Sequence, residues 1–249
     1  MAIPQILLLD RIREGQCNKL ILYVLFFCIS VLAAIGYNNV YGSQSISLNI
    51  TEGIASGDVT DHDSTIWSSV NLPSIMHVQV AKEPLFKISD SQIQWVDNVT
   101  DFTGKIRLDN LTSATKYFYR VWFSSTDNHI NSSSLIGTFK TAPNSTSSGN
   151  SISFIVGADI GGQKLCRDLK KGYLIFEKMR QYNADFYIQN GDMIYAINNC
   201  PVMRPDGGQN MPGNFSGIAD SGVDWNNLTQ VHNIYLKHWV YNRADPHLQ

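Results

Sequence analysis

The chain has 249 residues, of which 43% are hydrophobic and 16% are charged, and its formal net charge is −2. This composition is enough for one large or two ordinary folded domains, and it excludes a chain that is disordered throughout. The near-neutral charge, without any basic patch, gives no electrostatic reason to expect nucleic acid as a partner.

Residues 1–42 are predicted to be a signal peptide or a membrane anchor. Basic residues precede an uncharged run from Leu20 to Gly36, whose length lies between that of a signal-peptide core and that of a membrane helix. The positive flank predicts that the rest of the chain is extracytoplasmic, either secreted or membrane-anchored. A buried core helix is the third option, although such a helix normally shows a polar face and this run has none.

Asparagine sequons of the type Asn-x-Ser/Thr are frequent after this segment. Each triplet alone is weak evidence, but their number agrees with an extracytoplasmic location. They begin at Asn49, Asn98, Asn110, Asn131, Asn144, Asn214 and Asn227.

Residues 47–142 show the pattern of a small antiparallel β-sandwich. Six short segments alternate apolar and polar residues and are separated by turn residues. They read STIWSSVN, MHVQVAKE, QIQWVDNV, GKIRLDNL, KYFYRVWFSS and LIGTFKTA. The segment from Leu111 to Tyr117, a leucine and a turn that lead into a tyrosine-bearing strand, resembles fibronectin type III domains.

A polar linker, residues 143–150, precedes a second region at residues 151–249. That region begins with an almost wholly apolar strand, which is typical of a parallel sheet covered by helices. We expect a helix at about 170–182, a second strand in ADFYIQN, a long loop to about 222 and a final helix at about 223–241. Two strands are too few for a stable covered sheet, so the sequence predicts an incomplete α/β domain.

An acidic residue follows each of these two strands. Asp159 comes after the first strand and Asp192 after the second, and Tyr195 lies three residues further on. In a right-handed βαβ unit both loops leave the sheet at its carboxyl edge, so these oxygen donors are expected to meet and to suit a hard metal ion. The alternatives are that each aspartate only caps a turn and that the tyrosine ring only packs.

Two of the four cysteines, Cys166 and Cys200, fall in the region expected to fold. Each follows one of the acidic loops, so both lie on the same rim of the predicted sheet. Outside the cell they can form a disulfide. Two free thiols, or a soft metal ligand at Cys166, are the other options.

Several motifs resemble those of PhoD-type alkaline phosphatases, which are related to purple acid phosphatases within the metallophosphatases. Residues 52–60, EGIASGDVT, and 64–67, STIW, resemble the opening of the PhoD N-terminal domain. Residues 159–163, DIGGQ, resemble the first metal loop of purple acid phosphatases, and residues 191–195, GDMIY, match the GDxxY second loop. Residues 238–246, HWVYNRADP, are similar to the segment that precedes the third metal motif of PhoD-type proteins.

The resemblance implies a four-layer α/β fold with a binuclear metal centre that hydrolyses phosphate esters. It implies iron together with calcium, zinc or another divalent ion. Asp159 would bind the first metal, Asp192 would bridge both, and Tyr195 would bind the iron as phenolate. The chemistry implied is attack on a phosphate ester by water that the metals activate.

The chain also departs from this pattern. Many metallophosphatases have a histidine at the position of Gly161, and many PhoD-type proteins have a cysteine near that of Asp159. The third motif and the later histidines are absent, because His232, His238 and His247 do not fall in matching positions. We therefore expect only the half-site for the first metal, with reduced or no activity of this chain alone.

Two arginines, Arg167 and Arg204, are candidates to hold a phosphate, although exposed arginines usually have no specific role. The functional alternative is a non-catalytic surface binding module that keeps a degenerate half-site. Bound metal would discriminate between the two functions.

Overall fold

A computed structural model of the chain describes residues 47–146, 151–213, 215–218 and 221–248. The predicted leader, residues 1–42, lies outside the described residues, as does half of the predicted linker. None of the helices within the described ranges is long and apolar enough to cross a membrane.

The expected β-sandwich is confirmed. One sheet has the strand order β1-β2-β5, the other has the order β4-β3-β6-β7, and all neighbouring strands in both are antiparallel. The strands are β1 (Ile50–Gly57), β2 (Ser64–Val70), β3 (Ser74–Ala81), β4 (Ser89–Val96), β5 (Thr103–Leu108), β6 (Lys116–Ser124) and β7 (Leu135–Lys140).

Alternating side chains from both sheets form the sandwich core. Along β3, Met76, Val78 and Val80 are buried, whereas the residues between them are partly exposed. Successive side chains of a strand point to opposite faces, so this alternation places one apolar row inside. Val121 and Phe123 of β6 are fully buried in the same cluster.

The turn before β6 is fixed by a tyrosine. The Tyr117 hydroxyl accepts a hydrogen bond from the backbone N–H of Thr112 at 2.8 Å. Such a bond from a strand tyrosine back to the preceding turn is the tyrosine corner of β-sandwiches. The Leu111–Tyr117 segment therefore has the local structure that its sequence indicated.

The six quoted segments did not include the first strand, β1. Its pairing with β2 shifts register between Ile50 and Ile54, and Gly53 within this interval has φ of +72°. A bulge of this kind adds a residue to one strand and breaks the period-two pattern from which strands are predicted.

The second region begins with a β-α-β unit. β8 (Phe154–Gly157) and β9 (Phe186–Gln189) are neighbouring parallel strands, joined through helix α1 (Leu174–Gln181). Phe176 of α1 is buried and meets the Tyr187 ring edge-on, with ring centroids 6.0 Å apart. The helix thus covers one face of the two-stranded sheet.

The other face of this sheet is open to solvent. Phe154 and Val156 of β8 are each 54% exposed, and their partners Phe186 and Ile188 in β9 are 47% and 41% exposed. Parallel strands normally have both faces covered. This two-stranded sheet has one covered face.

The final helix, α2 (Leu228–Arg243), begins five residues later than the sequence suggested. The Asn227 side chain accepts a hydrogen bond from the N–H of Gln230 and caps the helix. At the other end, the Arg243 guanidinium donates to the carbonyl of Glu52 at 3.2 Å and lies over the Trp67 ring. Helix α2 therefore contacts the sandwich.

Candidate metal centre

The two acidic loops leave the sheet side by side. The register pairs Gly157 of β8 with Gln189 of β9, and the N–H of Asn190 donates to the Gly157 carbonyl at 2.7 Å. Further along, the N–H of Ile160 donates to the Asp192 carbonyl at 2.9 Å. The loops are thus joined by backbone hydrogen bonds where their carboxylates emerge, which is the arrangement expected from the βαβ pattern.

Both aspartates have left-handed backbone conformations. The φ angle is +59° at Asp159 and +42° at Asp192, and both side chains are exposed. Aspartate adopts positive φ more readily than most residues, and ten other non-glycine residues in the described ranges also have it, so the conformation alone does not mark a ligand site.

Tyr195 forms hydrogen bonds with both carboxylates. Its hydroxyl donates a hydrogen bond to the Asp159 carboxylate. This bond, then burial and a further hydrogen bond with Asp192, raise the pKa of the Tyr195 phenol well above its usual value. Without a cation the phenol therefore keeps its proton at neutral pH.

Two glycines leave room for tyrosine side chains beside these loops. A Cβ at Gly161, where φ is +71°, would lie 2.5 Å from the Tyr173 hydroxyl oxygen. A Cβ at Gly162 would lie 3.0 Å from the Tyr195 ring. A histidine at position 161, as in many metallophosphatases, would need Tyr173 to move.

The donor set fits one hard cation. Two carboxylates and a phenol, all oxygen donors, converge at the loops and are open to solvent. Among the described residues, no group of three or more His, Cys, Asp or Glu side chains is arranged to hold a metal. Asp159, Asp192 and Tyr195 therefore stay predicted ligands of the first metal.

The loops are also tied together beyond the carboxylates. Cys166 and Cys200 form a disulfide with a Cα–Cα distance of 5.8 Å. Nearby, the fully buried Asn210 accepts from the Cys166 N–H at 3.0 Å and donates to the carbonyls of Lys164 and Pro201. The long loop after the second acidic loop is thus fixed to the first one.

Arg167 has a structural position that the sequence did not reveal. Considered above as an exposed arginine, it is buried, and it donates to the carbonyls of Tyr241 and Ala244 at 2.7 and 2.9 Å. These are carbonyls at the C-terminal end of α2, where a cation is favourable. Its Nε lies 3.5 Å from the fully buried Asp245 carboxylate. Arg204 instead pairs with Asp206 of its own loop and with Asp168, which lies between the first acidic loop and α1.

The histidines lie away from the two carboxylates. His232 contacts Asp101 of the sandwich at 3.2 Å, and His238 is buried against the Phe215 ring. The ring of His247 contacts the Lys171 carbonyl at 3.1 Å.

Sequence reasoning missed two residues that support the loops, Tyr173 and Asn242. They meet through a hydrogen bond of 2.8 Å between residues 69 positions apart. No short motif spans such a separation, so only the fold reveals the pair.

A cavity of about 550 Å³ lies elsewhere, between the sandwich and β9. Lys140, Asp185 and Arg243 line it, and none of the three predicted metal ligands does. The three predicted metal ligands thus lie at the exposed loop edge, outside this cavity.

Comparison with known proteins links the chain to one family. Residues 37–143 match the family model described as the N-terminal domain of PhoD-like phosphatases. No curated protein matches the chain in sequence.

A solved structure supports the fold. A structure of PhoD is 19% identical and has a TM-score of 0.61, covering 80% of this chain and 36% of that one. The chain thus spans about a third of the length of PhoD in that structure. A fibronectin type III domain of human collagen alpha-1(XX) is also similar, at 20% identity and a TM-score of 0.31, with coverage of 44% and 97%.

Proposed function

We propose that this chain, which carries the N-terminal domain of PhoD-like phosphatases, is the N-terminal portion of a metal-dependent phosphoric ester hydrolase. The observation that carries the proposal is the meeting of Asp159, Asp192 and Tyr195 where two parallel strands end. The likeness to PhoD, over 80% of this chain at a TM-score of 0.61, supports the proposal at the level of the fold.

The three donors would hold one trivalent cation, with iron as the first candidate. A bound cation of this charge would polarise a phosphoryl oxygen and stabilise a phenolate. Strands β8 and β9 would bring the two carboxylates to one edge of the sheet. The Asp159 carboxylate would accept the Tyr195 hydroxyl proton in a hydrogen bond until a cation displaces that proton. Phosphate esters are then the substrate class, and the second metal would need ligands from another segment.

We infer that this chain alone has little or no hydrolase activity. Hydrolysis by this class of site uses two ions about 3.5–4 Å apart that act on nucleophile and leaving group together. The described residues offer a half-site. The purified chain should therefore bind close to one iron per molecule and hydrolyse little p-nitrophenyl phosphate with iron and calcium present.

The test is the absorption band that an iron–tyrosinate bond produces. The wild-type chain should develop the band on titration with ferric citrate. Tyr195→Phe should lose it, and Tyr182→Phe, which changes an exposed tyrosine on the same region, should keep it. A band that survives Tyr195→Phe would refute the assignment of this ligand, and full turnover by the wild type would refute the half-site.

A second function is favoured by Gly161. The absence of a histidine there, with Tyr173 in the adjacent space, is what a degenerate site would show. In that case the chain is a non-catalytic binding module. A chain that binds no metal under any condition would support the module and contradict the hydrolase.

We propose an extracytoplasmic location. The disulfide between Cys166 and Cys200 supports it, because such bonds persist in oxidising compartments. All six sequon asparagines that the structure describes are exposed, as N-glycosylation requires. A mass decrease of the secreted chain after peptide-N-glycosidase treatment would agree with this location, whereas recovery only from the cytoplasmic fraction would contradict it.

A further inference from the structure

Asn242, near the end of α2, uses both ends of its side chain in buried contacts. The residue is 5% exposed. Its Oδ1 accepts a hydrogen bond from the Tyr173 hydroxyl at 2.8 Å, and its Nδ2 donates to the Met193 carbonyl at 2.6 Å. A carboxamide is the small side chain that can accept at one end and donate at the other.

These two partners belong to the surroundings of the two acidic loops. Met193 directly follows Asp192 in the second loop. The Tyr173 hydroxyl lies beside Gly161 in the first loop, 2.5 Å from where a Cβ of that glycine would stand. Asn242 therefore bridges the second loop to the tyrosine against which the first loop packs.

The backbone that carries Asn242 is itself fixed. Arg167 donates to the carbonyls of Tyr241 and Ala244, on either side of Asn242. Asp245, which is fully buried, accepts from the N–H of Tyr173 at 2.8 Å. These hydrogen bonds hold the end of α2 independently of the Asn242 side chain. The carboxamide therefore projects from a fixed backbone.

We propose that Asn242 is a positioning residue of the metal half-site, which sets the separation of the two acidic loops through its contacts with Met193 and Tyr173. The proposal rests on the proposed function, because the separation of the carboxylates affects metal affinity only if they bind a cation together. Residues of this kind orient the metal ligands and typically change metal affinity 10- to 100-fold when replaced.

The decisive variant is Asn242→Asp. It keeps the size of the side chain and the acceptor for Tyr173, but it replaces the donor to Met193 by a carboxylate oxygen that faces a carbonyl oxygen. Tyr241→Phe is the matched control. It removes the part-buried hydrogen bond of 2.8 Å that the Tyr241 hydroxyl donates to the Met211 carbonyl, and neither partner belongs to an acidic loop.

Two measurements on the full chain test the proposal. Titration with ferric citrate should show affinity weakened about 10- to 100-fold in Asn242→Asp and unchanged in Tyr241→Phe. Without metal, hydrogen exchange at the Ile160 N–H, which bonds to the Asp192 carbonyl, should be faster in Asn242→Asp than in Tyr241→Phe. Wild-type values for both quantities in Asn242→Asp would overturn the proposal.

The outcomes separate the two claims. If the wild-type chain binds no iron, the proposed function fails, and the exchange measurement still decides whether Asn242 positions the loops. If Asn242→Asp does not fold, Tyr173→Phe replaces it, because it removes only the hydroxyl and keeps the ring. Tyr173→Phe should shift both quantities in the same direction, and its failure to shift either would overturn the proposal.

Discussion

The sandwich and the region after it bury their apolar side chains to very different extents. In the sandwich, Val78, Val121 and Phe123 are fully buried between two sheets. In the β8–β9 sheet, Phe154 and Phe186 stack on each other with centroids 5.4 Å apart, yet each is about half exposed. The second region buries fewer apolar side chains, such as Phe176, and adds polar contacts and a disulfide to them.

The largest effect should come from the sandwich core. Phe123→Ala should lower the free energy of unfolding by about 3–5 kcal/mol, because it removes a fully buried ring and leaves a cavity. Phe186→Ala, which truncates a half-exposed ring, should cost about 1 kcal/mol or less. Denaturant unfolding of both variants measures the difference. Equal losses would show that the β8–β9 sheet is as well packed as the sandwich.

The next effect concerns the disulfide. Replacing Cys166 and Cys200 by alanine opens a link between residues 34 positions apart and should cost about 3–4 kcal/mol in the second region. Hydrogen exchange resolved by peptide should rise around the long loop and stay unchanged in β3 and β6. If exchange rose equally in both regions, the polar and covalent ties would not be specific to the second one.

Acid should weaken the junction between the two regions. The N–H of Ser153 and then the Lys140 ammonium, which bond to the Asp185 carboxylate, lower the pKa of Asp185. A carboxyl whose pKa is lower in the folded state contributes stability above its unfolded pKa, about 3.9, and this contribution is lost as the pH falls through the folded pKa.

Asp185→Asn tests this pH dependence. The variant should be less stable than wild type at pH 7, and the difference should shrink below about pH 4. Thermal unfolding from pH 2 to pH 7 measures it, and Asp90→Asn, on the sandwich strand β4, is the control. A difference that is constant over this range would contradict the role assigned to the carboxylate.

The smallest effect is expected on the open face of the β8–β9 sheet. Val156→Thr replaces an exposed methyl group by a hydroxyl and keeps the branched shape, so stability should change by no more than about 0.5 kcal/mol. Val121→Thr, in the sandwich core, should cost clearly more, because the hydroxyl is buried. Urea unfolding of the pair compares the two environments directly, and a large loss for Val156→Thr would mean that this face is covered.

Local patterns were sufficient for most of the fold. Alternation along β3 and β6 predicted strands because one face of each is buried. Strand β1 is absent from the predicted strands because Gly53 and a register shift interrupt the alternation of its apolar and polar residues. The start of α2 was placed too early, because Asn227 was not recognised as its cap.

The candidate site was predictable to the extent that it follows from strand adjacency. Asp159, Asp192 and Tyr195 come together because β8 and β9 are parallel neighbours. The support by Asn242 and Tyr173 depends on how α2 packs, which local sequence does not encode. The assignment of Asp159, Asp192 and Tyr195 as metal ligands stays a prediction until metal binding is measured.

Asn227 combines two roles that need not compete. Its Oδ1 caps α2, whereas a sugar would be attached to its Nδ2 in the sequon Asn227-Leu228-Thr229. The helix can keep its first hydrogen bond while an oligosaccharide projects into solvent from the same amide. A bulky hydrophilic chain at this point would shield the exposed Leu228 without any rearrangement of the polypeptide.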